Sequence, residues 1–342
     1  MSLNSPECSI EQTLHCSVTS IMRFTTDNAF TASRKYAPVH MFPVLPAKMA
    51  FRSVMNHLPR NGTTMLIIDC HAHIYSSDEK KYPPKENPLR VPDNKPSAIE
   101  DLLHTAHLHG VDAVRAVQTV SYYDYDNRYV CDATKANSKG VTGVCTLNPD
   151  NPESPSLLRH FVREYGISTL RSTPGDNRRT FDHPGVRNLW RACAETGATV
   201  DIFLMRPEWV PGAEKLFLEF ADLTIGFDHC MDLKPGPLYK KTLGEVLRLE
   251  QYPNLYPKLD FISTGTQVGY PGADLHDATL KIIAAYGADR CVWGSNYPNA
   301  LWTPMLTYAE HLHIFTHVLP LNQKTRNQIL GETARRLWFP SL

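Results

Sequence analysis

Four polar residues, far apart in the chain, are of types that could work together on one small molecule. His71 and His73 flank Ala72 in the run IIDCHAH (67–73), His229 ends LTIGFDH (223–229), and Asn296 lies in WGSNYP (293–298). In an extended strand, side chains alternate with period two, so His71 and His73 share a face. Two neutral imidazoles converging in this way suit a divalent ion. Zinc is the first expectation and manganese the second; the third is no metal at all, with the imidazoles polarising a carbonyl directly. A carboxylate at 296 could bind metal and take a proton from water, whereas an amide has no group that titrates near neutral pH and can only orient by hydrogen bonding. Any one of these histidines alone would equally read as a hydrogen-bonded core residue. Their common position at strand ends is what makes them a candidate site.

The elements that must position them follow a rhythm. Apolar, β-branched runs at 66–71, 112–120, 141–147, 167–171, 198–204, 223–229, 257–263 and 290–294 read as strands. Helical patterns lie between or after them at 97–109, 155–165, 184–196, 211–221, 242–250, 274–286 and 323–338, several closing just before a glycine. Strands alternating with helices predict a parallel α/β sheet, and eight such runs predict a closed (β/α)8 TIM barrel whose chemistry sits at the C-terminal strand ends. An open doubly wound sheet would usually bring a glycine-rich loop after its first strand, and DCHAHI is not one. The barrel is expected over 65–342. Residues 1–64, rich in Ser, Thr, Met and Pro with little periodicity, read as an N-terminal extension.

Composition narrows the partners. Of 342 residues, 42% are hydrophobic, and 35 Lys plus Arg balance 35 Asp plus Glu, which argues against a nucleic-acid binder. No apolar run approaches the ~20 residues of a membrane span. Eight scattered cysteines fit a reducing compartment, so a cytoplasmic protein is expected. Arg23, Arg34 and Lys35 would suit a mitochondrial presequence, against which Glu7, Glu11 and Asp27 count. A monomer or a homodimer is expected.

Other residues near strand ends suggest the ligand. Arg171 could grip a carboxylate, or make a salt bridge at the rim. Tyr122, Tyr123, Phe203, Trp209, Tyr297 and Trp302 each read singly as packing, but together they favour a flat, partly apolar small molecule bearing a carbonyl and a carboxylate. The charged, Pro-rich loop 74–96 leaves the first strand at the catalytic end and is a candidate lid.

From about residue 66 to 340 the chain resembles amidohydrolase-related proteins of the lactonase branch, which includes 2-pyrone-4,6-dicarboxylate lactonase and the sugar-acid lactonases. DCHAHI is similar to the opening motif, and the stretch ending in GFDHCMDLKP places His229 on the family histidine. GADRCVWGSNYP is similar to the closing motif, and ILGETARRLWFP to the C-terminal helix. The resemblance implies a barrel, substrate contacts from Ser121, Tyr122, Tyr123 and Arg171, and ring-opening hydrolysis at a site of His71, His73 and His229. Strand four ends in Leu170-Arg171 rather than a lysine that could bridge two metals, which implies a single metal. Asn296 stands where the family carries a water-activating Asp, whether as the natural residue or as an introduced substitution. Three readings therefore stand: a lactonase-like hydrolase; a lyase, isomerase or cyclase using the same histidines, with decarboxylation as the model; and a barrel that binds its ligand without turnover.

Overall fold

Seven strands lie side by side in sequence order, all parallel: β1 Ile68–His73, β2 Ala113–Val117, β3 Val141–Thr146, β4 Ile167–Ser172, β5 Thr199–Ile202, β6 Ile225–Phe227 and β7 Leu255–Pro257. They belong to a computed structural model that describes residues 65–89, 91–92, 97–176 and 178–342. The extension expected over 1–64 lies outside the described residues. The ring closes through segment 291–297. Val292 bridges Lys258 in parallel on one side, and Ala72 bridges Tyr297 on the other. Cys70 N donates to Trp293 O (3.0 Å), and His73 N donates to Tyr297 O (2.7 Å). The fold is therefore a (β/α)8 barrel whose eighth strand is reduced to bridges.

Outward-facing strand residues such as Val114, Cys145, Leu170, Val200 and Ile225 are buried beneath the helices, among them Pro184–Thr196 and Val210–Glu219. The inward face is polar instead. Register sets Arg171 beside Asp201 and Asp201 beside Gly226. A Cβ at Gly226 would run into the Asp201 carboxylate, so glycine leaves room there for buried charges.

Two expected strands are corrected. The run 257–263 ends its pairing at Lys258 and turns into the short helix Phe261–Gly265. A short apolar run carries no periodicity that separates a strand from a buried helical turn. The run 112–120 stops at Val117, and Val120–Tyr123 is helical.

His311 marks a pH liability. It is fully buried between Trp293 and Phe315 with no hydrogen-bond partner at either ring nitrogen, and burial pushes its imidazole down to about 3. His73 is likewise held near 3 by burial, whereas burial raises Asp69 to about 6. Below the ordinary histidine value of 6.5 the unfolded chain takes up protons that His311 and His73 refuse in the fold, so stability falls on acidification. Asp69 works the other way between its folded 6 and its ordinary 3.8, offsetting one histidine. Each histidine can contribute a slope of about 1.4 kcal/mol per pH unit. Urea midpoints measured between pH 7 and pH 5 should therefore fall less steeply for His311→Leu than for the parent. An identical slope would show that His311 is protonated in the folded protein.

Candidate active site

At the C-terminal end of β1, His71 and His73 turn to the same side, with their Nε2 atoms 3.3 Å apart. His73 Nδ1 meets the Val117 carbonyl at 3.1 Å. Gly294 is needed opposite them, because a Cβ there would sit 2.7 Å from the Cβ of His71. Asp69 ties the closing segment down by accepting Ser295 N (2.9 Å), His71 N (3.2 Å) and the Tyr308 hydroxyl (3.1 Å).

His229 reaches the same centre by an unusual backbone. His229, Cys230, Met231 and Asp232 take φ of 55°, 43°, 64° and 51°. A left-handed turn without glycine costs ~1–2 kcal/mol per residue and is retained where the surroundings over-determine it. Here His229 N donates to Asp260 Oδ1 (3.1 Å), and the imidazole Nδ1 lies 3.3 Å from the same oxygen.

Asp260 is the residue that sequence reasoning missed. One donor atom each from His71, His229 and Asp260 lie within 4.8 Å of one another, all three side chains buried. Asp260 Oδ2 lies 3.6 Å from His71 Nδ1 and has no hydrogen-bond partner. Burial keeps the His71 and His73 imidazoles neutral. This donor chemistry fits a single divalent ion. The three-donor cluster thus contains Asp260, while His73 pairs with His71.

Beneath the histidines runs a ladder of buried charges. Arg115 Nη2 meets Asp201 Oδ2 at 3.2 Å, and Asp201 pairs with Lys258. Lys258 Nζ reaches Asp228 Oδ1 at 2.7 Å, and Asp228 Oδ2 accepts Arg171 Nε at 2.8 Å. Burial alone would raise the Asp228 carboxyl, but Lys258, His71 and Arg171 together hold it well below the usual carboxylate range. The ladder holds Arg171 over the Phe203 ring (4.2 Å), with Nη2 3.5 Å from His229 Nε2. Phe203 itself lies 6.1 Å from the His229 ring.

The remaining candidates divide. Trp302 lies 4.8 Å from the His73 ring and donates from Nε1 to the Tyr75 hydroxyl (3.1 Å). Asn296 is buried, and its Nδ2 donates to Asp260 O and Ser263 Oγ, both at 3.0 Å, so the amide anchors the Asp260 turn. Tyr297 turns away toward Thr105 and lines a separate cavity of about 440 Å³. Trp209 packs on Phe181. Ser121, Tyr122 and Tyr123 hold the described part of the loop after β1. Ser121 O accepts Leu89 N, Tyr122 O accepts Lys85 N, and the Tyr123 hydroxyl accepts Ser76 N at 2.7 Å. That loop is strapped down further by the Tyr82 hydroxyl on Asp132 (2.7 Å). Arg178 and Arg179 pair with Asp176 and Asp150 at the surface. Among the described residues no helix is long and apolar enough to cross a membrane.

The family described as Amidohydrolase matches residues 68–339. Three solved structures share the fold. A protein of Pseudomonas putida assigned as a 2-pyrone-4,6-dicarboxylic acid hydrolase is 23% identical, with a TM-score of 0.66 over 82% of this chain and 99% of its own. An amidohydrolase of Burkholderia multivorans with bound zinc is 18% identical, with a TM-score of 0.63 over 80% and 99%. A 5-carboxyvanillate decarboxylase of Novosphingobium aromaticivorans, an Asp-to-Asn mutant with manganese and a nitrobenzoic acid, is 15% identical, with a TM-score of 0.54 over 81% and 97%. No curated protein sequence matches.

Proposed function

Because the chain belongs to the amidohydrolase family, we propose that it opens a lactone or cyclic ester that carries a carboxylate, by adding water to the ring carbonyl. The observation that carries this reading is Asp260. It supplies beside His71 and His229 the carboxylate that position 296 lacks. Arg171 binds the substrate carboxylate through its Nη atoms, since Nε is committed to Asp228. Trp302 and Phe203 offer faces for a flat ring. Asp260 Oδ2 takes the proton of the attacking water and returns it to the ring oxygen that leaves, so one water is consumed and a hydroxy acid results. A divalent ion, zinc or manganese, held by His71, His229 and Asp260, would polarise the carbonyl and acidify the water.

One observation favours a second reading. The amide at 296 suits a lyase, such as a decarboxylase, which needs no water-activating acid at that position. Incubation with 2-pyrone-4,6-dicarboxylate in ¹⁸O-water, with EDTA or with added zinc or manganese, separates the readings. A product with one ¹⁸O in its new carboxylate is expected. Release of carbon dioxide with no label incorporated would move the lyase ahead. Saturable binding without product would make this a ligand-binding barrel.

A further inference from the structure

Thr146 ends β3, and register sets it beside Arg171 on β4, one strand spacing of ~4.8 Å away. Paired residues of parallel strands share a face, and successive residues alternate. Cys145 pairs with Leu170, and both lie in the outward core, so Thr146 and Arg171 face the barrel interior together. The Thr146 side chain is fully buried, and among the described residues its Oγ1 has no hydrogen-bond partner. Burial does not set it apart from the centre, since His71 and Asp260 are buried to the same degree. Other buried threonines satisfy their hydroxyls within the fold: Thr134 and Thr279 each donate to the carbonyl four residues earlier, at 2.7 Å and 2.9 Å.

The backbone of Thr146 is pinned as well. Asn127, buried just before the helix Arg128–Ala136, accepts Thr146 N at Oδ1 (2.9 Å) and donates from Nδ2 to Thr146 O (2.8 Å). One side chain thus takes both main-chain groups, and the end of β3 is fixed with its hydroxyl turned inward. A buried hydroxyl left unpaired is costly in the free protein, and a ligand that pairs it removes that cost. We propose that Thr146 is a specificity-determining residue, its hydroxyl donating to one oxygen of the substrate carboxylate that the Nη atoms of Arg171 also hold. This rests on the reading of Arg171 as the carboxylate anchor. A carboxylate offers about four lone-pair sites. Arg171 has already committed Nε to Asp228, so a neighbouring donor adds to what the guanidinium supplies. Because a hydrogen bond to a charged acceptor is the stronger kind, Thr146 favours the free acid over its amide or ester.

Isophthalate, a flat dicarboxylate with no lactone to open, reads binding without turnover by calorimetry on the full-length protein. Thr146→Val keeps the side-chain shape and should weaken isophthalate about tenfold or more, whereas Thr146→Ser should keep the parental affinity. The urea midpoint of the valine variant, measured without ligand, should equal or exceed that of the parent, because no bond within the fold is lost. A lower midpoint would show that the hydroxyl is bonded within the fold and would overturn the proposal, as would an unchanged affinity. A parent that binds isophthalate through Thr146 but opens no lactone leaves this inference standing and removes hydrolysis from the proposed function. A parent that binds no isophthalate, with or without added zinc, overturns the inference together with the carboxylate role of Arg171.

Discussion

Asp260→Asn should lower turnover by about 10²–10⁴-fold, the usual contribution of a positioned general base, while leaving the fold intact. The change keeps the volume, and the amide oxygen can still accept His229 N as Asp260 Oδ1 does at 3.1 Å. What it removes is the charge and the free Oδ2 that faces His71. Asn296→Asp should restore nothing. Its present amide donates to Asp260 O and Ser263 Oγ, and a carboxylate would place an oxygen against that carbonyl at 3.0 Å. Losing two buried donors in this way costs about 1–3 kcal/mol and loosens the turn that carries Asp260. Its backbone is not the obstacle, since φ of 57° at position 296 is tolerated by Asn and Asp alike. The check is kcat in the lactone assay together with urea midpoints and metal content for both variants. A rise in hydrolysis for Asn296→Asp, with Asp260→Asn unaffected, would return the base to position 296.

The barrel and its histidines were legible because they depend on period and position alone. Alternating strand and helix patterns announce parallel βαβ units, and a strand-end rule then picks His71, His73 and His229 out of fifteen histidines. Asp260 was hidden by a register error. Taken as a strand, PKLDFIS makes it one more alternating position, whereas the observed turn after Lys258 swings it back over the mouth. The charge ladder was hidden for a different reason. DAVRAVQTV, ATVDIFL and PKLDFIS carry Arg115, Asp201 and Lys258 inside apolar runs, and each looks tolerable by itself. The signal was in their sum, because charges in the middles of buried strands need partners, and Arg115, Asp201 and Lys258 supply them to one another, with Asp228 taking the lysine's far side. Direction was beyond reach as well. Period two shows that Tyr297 follows the site in sequence, but only the closure of segment 291–297 on β1 shows that its ring faces Thr105.

Asp201→Ala should lower the stability of the barrel by about 3–5 kcal/mol, the cost of leaving buried charges without their counter-ion. Arg115 would retain Thr169 Oγ1 at 2.7 Å and its stacking on Trp338 at 3.7 Å, and Lys258 would retain Asp228, but the shared carboxylate between the two cations would be gone. A drop of this size is read from the urea midpoint; a loss below about 1 kcal/mol would mean that water reaches the ladder and screens it. The ladder is not thereby shown to stabilise the fold. Buried ion pairs exchanged for apolar residues of similar volume are often neutral or better, but Asp201→Leu combined with Lys258→Met should recover only part of the loss, because Arg115 still lacks its counter-ion. The remainder of the loss belongs to Arg115, which stays fully buried without the Asp201 carboxylate. The double variant should therefore fall between Asp201→Ala and the parent in its urea midpoint. A double variant no more stable than Asp201→Ala would mean that Arg115 and its lost counter-ion account for the whole of the effect.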